Sequence, residues 1–332
     1  MGVLCAIMKA SFQSSAVYGL LNRTMMNKIR RQQKAEGEPV GDVGAILEKN
    51  GLEIVEAEFF RQKRTVFRVK DAEGNFCILK TGRIDPFQLK LFHIAKKIEK
   101  QLCFKVPDIQ KAGDDWILMK EIIGKSLNEF YRDQPDYCVG LSKKISDDYQ
   151  KVIREFLRTE SVGELLAEGE WWLYSRLNLW TKPILDAGLI DFLLVQRLKR
   201  DFQDVIRHKG EAFFSWNHGN IIGDHVFISA YNEVYLIDLN AVSRIGSGYY
   251  DFLRALYCMF LKVEDNEEMF AFIISCLKQY LTEFDEEEIK LVFAFRCLGI
   301  LGWDILQHKV EYTKGNLEIK KQLILKFIKR VY

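Results

Sequence analysis

The sequence predicts an α+β protein of two lobes, a small antiparallel sheet carrying one helix followed by a larger, mainly helical lobe. Alternating β-branched and aromatic stretches are concentrated in the first third of the chain, and helical periodicity dominates the rest. A shift in composition between Glu121 and Lys125 separates the two. The division expected is a basic N-terminal segment (1–41), an N-lobe of sheet and helix (42–121) and a helical C-lobe (122–332).

A short helix pattern over Val43–Lys49 ends at the stop signal Asn50-Gly51. Leu52–Phe59, Thr65–Lys70 and Phe76–Lys80 alternate as strands, and Asp71-Ala72-Glu73-Gly74-Asn75 is a turn between the last two. Phe87–Leu102 repeats its apolar residues at helical spacing through Leu91, Ile94, Ala95, Ile98 and Leu102, with Pro86 near its start. Strands at Ile109–Ala112 and Trp116–Ile122 flank Gly113-Asp114-Asp115. Beyond Ser126, amphipathic helices are expected over 145–160, 160–180, 185–208, 249–262, 266–282, 286–310 and 315–331. Short strands at Phe213–Trp216, Val226–Ile228 and Val234–Ile237 interrupt them.

At 332 residues and 48% hydrophobic, the chain has ample material for a packed core. Its formal net charge of +2 supplies no field that would recruit nucleic acid. No run of apolar residues is long enough to span a bilayer. The seven cysteines are scattered without C-x-x-C spacing and pair with no histidine at zinc-site intervals. They read as buried thiols in a reducing compartment, and the expected location is cytoplasmic. From Met1 to Ala35 every charged residue is basic, which suits targeting or weak peripheral contact with a membrane; an extra helix on the N-lobe or a frayed terminus is the favoured account.

Chemistry concentrates in Trp216-Asn217-His218-Gly219-Asn220-Ile221-Ile222-Gly223-Asp224-His225-Val226, followed by Val234-Tyr235-Leu236-Ile237-Asp238. Polar clusters at the ends of apolar strands bring several polar side chains together beside one hairpin, an arrangement suited to a metal and phosphate site. Over residues 216–251 the segment resembles the catalytic hairpin of the aminoglycoside phosphotransferase and choline kinase families. The resemblance implies a bilobal protein-kinase-like fold that uses ATP and Mg2+ to phosphorylate a small-molecule acceptor. It places the acceptor-orienting role on Asn220 with His218 beside it, metal binding on His225 and Asp238, and support of the catalytic loop on Asp251. Upstream, Lys80 in Cys77-Ile78-Leu79-Lys80 resembles the strand lysine that neutralises nucleotide phosphates. Met119, Glu121 and Ile122 fall in the strand and hinge that accept adenine through main-chain groups.

Three departures from that pattern stand out. The turn Phe59–Thr65 has no glycine for main-chain contact with phosphates, so Lys63 and Arg64 are the candidates to replace it by direct charge. The helix after Lys80 has Lys90 to His93 where a glutamate partner for the lysine is expected. The third is Asn220, which stands where the family has an aspartate and cannot accept a proton as a carboxylate does. Asp224 is the nearby carboxylate that could act in its place. Taken singly, Lys80, His218 and Asp238 are ordinary strand, loop and turn residues; their order and spacing together favour the kinase-like reading. The functional expectation is a phosphotransferase with a weakened general base. The competing expectations are a pseudokinase that binds nucleotide without transfer and a kinase-shaped protein that binds none.

Overall fold

The structure, a computed structural model, describes residues 43–60, 64–82, 84, 86–263, 266–307, 322, 325 and 326. The expectations for 1–41, for Lys63 and for most of a helix over 315–331 fall outside these residues. The chain forms two compact units. One takes in the described residues up to Ile84 together with Asp108–Glu121, and the other holds the remainder.

In the first unit, α1 (Val43–Asn50) precedes β1 (Glu53–Phe60), β2 (Arg64–Lys70) and β3 (Phe76–Thr81), with β4 (Ile109–Ala112) and β5 (Trp116–Lys120) completing the sheet. The order is β1-β2-β3-β5-β4 and every pairing is antiparallel. Alternation along the strands sends Phe67, Val69, Cys77, Leu79 and Leu118 to one face, where Val43, Ile46 and Leu47 of α1 cover them. Each fully buried side chain of this kind contributes about 1.5–3 kcal/mol. Lys80 lies on the opposite face of β3, in register with Val66 and Ile117. The β2–β3 turn forms because Asp71 Oδ1 accepts hydrogen bonds from the amides of Glu73 (3.0 Å) and Asn75 (2.8 Å).

The second unit begins with α2 (Pro86–Lys97). The sequence groups this helix with the N-lobe, but its packing places it here. Phe87 meets Phe156 edge-on at 5.2 Å, and Lys90 pairs with Glu160 at 2.6 Å. After β6 (Gly124–Ser126) come α3 (Pro135–Thr159), α4 (Leu165–Asp186) and α5 (Phe192–Lys209). The first of these starts well before the expected residue 145, because Pro135 is pre-organised for a first helical turn that continues unbroken into the periodic stretch. Next are β7 (Phe214–Asn217), β8 (Val226–Ser229), β9 (Val234–Leu236) and β10 (Val242–Ile245), then α6 (Tyr250–Lys262), α7 (Asn266–Tyr280) and α8 (Glu286–Gln307). β6, β8 and β9 form one small sheet and β7 and β10 another.

Two glycines let α8 pack closely on α4. A Cβ at Gly302 would lie 2.1 Å from the Trp180 carbonyl oxygen, and one at Gly299 would meet the Trp180 ring at 2.6 Å. Trp172 and Trp180 are buried here with Phe295 and Tyr250, as core residues.

Candidate active site

Within the second unit the two small sheets carry the hairpin. β7 ends at Asn217, whose amide accepts from Gln150 Nε2 (3.0 Å) and donates to the Ser215 carbonyl (2.9 Å), so the strand end is tied to α3 and to itself. The chain then turns at Gly219, where φ is +78° and an added Cβ would lie 2.4 Å from Val242 on β10. Only glycine meets both demands.

Asp251, fully buried on the first turn of α6, holds this loop. Its carboxylate accepts from the amides of His218 (2.8 Å) and Gly219 (2.7 Å). Burial pushes its pKa up to about 6, opposed by those amides and by the charge of Arg244. Ahead of it Gly246, Ser247 and Gly248 all have positive φ, which brings the chain sharply from β10 into α6.

His218 is also buried. Its Nε2 donates to the Asp238 carbonyl, its Nδ1 accepts from the Asn220 amide (3.2 Å), and its ring packs edge-on against Tyr149 at 5.1 Å. Burial lowers its pKa to about 4, so the imidazole is neutral at physiological pH and acts as a spacer linking the loop to the strand end. Tyr149 closes the other side by donating to the Asn240 carbonyl at 2.7 Å. His225 donates from Nδ1 to the Asn220 carbonyl at 3.1 Å, and its own carbonyl accepts from the Ile237 amide. His218, Asn220, His225, Asp238 and Asp251 therefore form one hydrogen-bonded assembly.

The side chain of Asn220 is itself held. Its Oδ1 accepts from Nε and Nη2 of Arg254, both at 3.3 Å. Arg254 lies three residues after Asp251 on the same face of α6, a relation readable from i, i+3 spacing that the sequence reading did not use. Asp238 Oδ1 accepts from Gln88 Nε2 at 2.5 Å, and Gln88 is a buried residue of α2. Here the helix after Lys80 supplies an amide to the carboxylate, while Lys90 is paired with Glu160 and His93 bonds the Leu89 carbonyl. Asp224 accepts from Asn128 Nδ2 and lies 3.8 Å from Lys262 Nζ, with about half of its side chain exposed. Its hydrogen bond thus runs to Asn128 rather than to the Asn220 loop.

In the first unit, Lys80 is half-buried on β3. Arg64 opens β2 opposite Phe60. Met119 is buried in the middle of β5, paired to Ile78 and Ile109, so its main chain belongs to the sheet. Glu121 donates its amide to the Phe76 carbonyl at 3.4 Å and pairs its carboxylate with Arg68 at 2.8 Å. Ile122 begins the next unit, half-buried.

As to metal, no cluster of three or more His, Cys, Asp or Glu side chains among the described residues is placed to hold an ion. Magnesium does not require one, since it takes one or two carboxylates together with substrate phosphates and water. Asp238, with its orientation set by Gln88, fits that need. His225 offers a nitrogen donor, which a hard cation disfavours, so it fits better as the hydrogen-bonded support of Asn220 than as a ligand.

No family model and no curated protein sequence matches this chain. Solved structures do. The chain is similar to an ethanolamine kinase of Plasmodium vivax (13% identity, 87% of this chain and 88% of that one, TM-score 0.51). It is similar to amicoumacin kinase hAmiN in complex with AMP-PNP, Ca2+ and Ami (14% identity, 91% and 95%, TM-score 0.53). A choline kinase of Cryptosporidium parvum gives 13% identity over 87% and 95%, with a TM-score of 0.50. The fold is therefore the kinase-like fold of these small-molecule kinases, spanning most of the chain.

Proposed function

We propose that this protein is an ATP- and Mg2+-dependent phosphotransferase acting on a hydroxyl of a small molecule, with weakened general-base assistance. The observation that carries this reading is the assembly of His218, Asn220, Asp238 and Asp251 around one loop, with a carboxylate kept at Asp238 and the Asn220 side chain aimed by Arg254. Magnesium, when bound, neutralises phosphate charge. Asp238 would hold it, and Lys80 is the candidate to contact a phosphate, with Lys63 and Arg64 as further candidates by their charge.

In the reaction, the acceptor oxygen forms a bond to the γ-phosphorus while the bond from that phosphorus to the β–γ bridging oxygen breaks, and ADP leaves. The hydroxyl proton passes to solvent. Asn220 can orient the hydroxyl by hydrogen bonding, yet an amide takes no proton at neutral pH. Loss of a general base removes about 10²–10⁴-fold in rate. Transfer through a loose transition state still proceeds on positioning and electrostatics, so slow turnover is expected.

The missing carboxylate also favours a second reading, a pseudokinase that binds nucleotide without transfer. Single-turnover conversion of ATP to ADP, with enzyme in excess and a panel of hydroxyl acceptors, separates the two. Acceptor-dependent phosphoryl product supports the enzyme; nucleotide binding with no product from any acceptor supports the pseudokinase.

A further inference from the structure

Next to the Asn220 loop the second unit gathers four arginines. Arg244 of β10 stacks over the Trp172 ring at 4.3 Å, and its guanidinium flanks Gly219, lying about as near as 3.4 Å to the position a Cβ there would take. Arg296 of α8 donates to the Tyr250 hydroxyl at 2.6 Å and lies 5.5 Å from the Trp180 ring. Tyr250 in turn meets Trp172 edge-on at 5.5 Å, so the two guanidiniums flank one aromatic pair. Arg254 reaches Asn220 from α6. Arg176 of α4 completes the group, its charge felt at Arg244 and its own environment including Tyr250.

The group is poorly neutralised. None of the four forms an ion pair with a described carboxylate, and Asp251, whose charge reaches Arg244 while it accepts from the loop amides, is a single carboxylate against four guanidiniums. Nε of Arg244 and Nε of Arg296 are buried without a hydrogen-bond partner, and Arg296 is 6% exposed. Desolvation presses on both, bringing Arg244 down to about 10. Arg176, Arg244 and Arg254 nevertheless keep part of their surface open to water. Guanidiniums removed from water without counter-charge are expensive, and a fork of N–H donors lined by aromatic walls is the geometry that receives a carboxylate or a phosphate.

We infer that Arg244 and Arg296 form an anion subsite beside the catalytic loop, so that the acceptor is a hydroxyl compound bearing a carboxylate or phosphate group. This rests on the phosphotransferase reading for the word acceptor; the anion site itself does not.

The test uses thermal unfolding of the full chain without nucleotide, titrated with sodium sulfate against sodium chloride at matched ionic strength, with sodium acetate as a parallel arm. Sulfate stands in for a phosphate group and acetate for a carboxylate, and whichever raises the midpoint saturably identifies the preferred anion. Arg244→Met and Arg296→Met are each expected to weaken the apparent Kd at least tenfold, and Arg244→Lys, which keeps the charge but not the fork, by less. Lys182→Ala, at an exposed position of α4 outside the group, is expected to respond as the wild type does. The inference is overturned if neither anion exceeds chloride, if both methionine variants respond like the wild type, or if Lys182→Ala abolishes the response. ATP with Mg2+ is titrated on the same samples: a nucleotide response without an anion response sinks the subsite alone, and the reverse sinks the kinase reading while the subsite stands.

Discussion

Restoring a carboxylate by Asn220→Asp is expected to give far less activity than the bare chemistry suggests, because Arg254 is already there. In the wild type two of its N–H groups point at Asn220 Oδ1 from 3.3 Å. A carboxylate in the same place becomes an ion pair: two unit charges at that distance attract by about 5 kcal/mol at an effective dielectric of ~20, before the cost of burying the new charge. An adjacent arginine lowers a carboxylate pKa by about 1–3 units, and basicity falls with it. The single variant should therefore be folded and at least as stable as the wild type, with less than about tenfold gain in rate. The double variant Asn220→Asp, Arg254→Met frees the carboxylate and should recover on the order of 10²-fold or more, the range that general-base assistance supplies. The assay is single-turnover ADP formation from ATP with water as acceptor, which needs no knowledge of the natural substrate. A full gain in the single variant, with nothing added by removal of Arg254, refutes the reasoning.

Gly302→Ala should lower stability by about 1–3 kcal/mol, since its methyl would collide with the Trp180 main chain rather than with a side chain that can turn away; chemical denaturation measures this. Gly219→Ala should distort the loop and reduce any transfer activity, at a cost of about 1–2 kcal/mol for positive φ alone, with further cost from the contact with Val242. Stability against pH offers a third check. The native state keeps His218 neutral down to about 4, so this group contributes stability that is lost as pH falls through 6.5 toward 4. Asp251, raised from 3.8 to about 6, acts with the opposite sign and gains stability as pH falls through the same window. Each shift is worth about 3 kcal/mol, so the two largely cancel between pH 4 and 6. His218→Asn should uncover the aspartate alone, and its denaturation midpoint should rise on acidification from pH 6.5 to 4 relative to the wild type.

Much of the fold was readable because strands and helices here follow the simple periods of their buried faces, as in the inward Cys77 and Leu79 with the outward Lys80 of β3. β6 and β10 escaped notice because Gly124-Lys125-Ser126 and Val242-Ser243-Arg244-Ile245 lack the apolar and aromatic runs that mark the equally short β7, β8 and β9. The hairpin residues were legible as a cluster close in sequence. Their partners were not: Gln88, Tyr149 and Arg254 come from three different helices, where a polar residue ordinarily faces water. Arg296 did leave a signal, a single charge inside Val292-Phe293-Ala294-Phe295-Arg296-Cys297-Leu298. The packing of α2 was not legible either, because sequence proximity to β3 does not show that Phe87 packs on Phe156.

The central claim, a nucleotide site that depends on Asp238, is tested most directly by thermal unfolding with ATP, with and without Mg2+, in the wild type and in Asp238→Ala. The variant starts less stable by about 1–3 kcal/mol because Gln88 loses its partner, so each protein is compared with its own unliganded midpoint. The wild type should gain about 2.7 kcal/mol at a hundredfold excess of ATP over Kd, and only with Mg2+ in full measure, while the variant loses the Mg2+-dependent part. An unmoved wild-type midpoint, or an equal Mg2+-dependent shift in the variant, would contradict it.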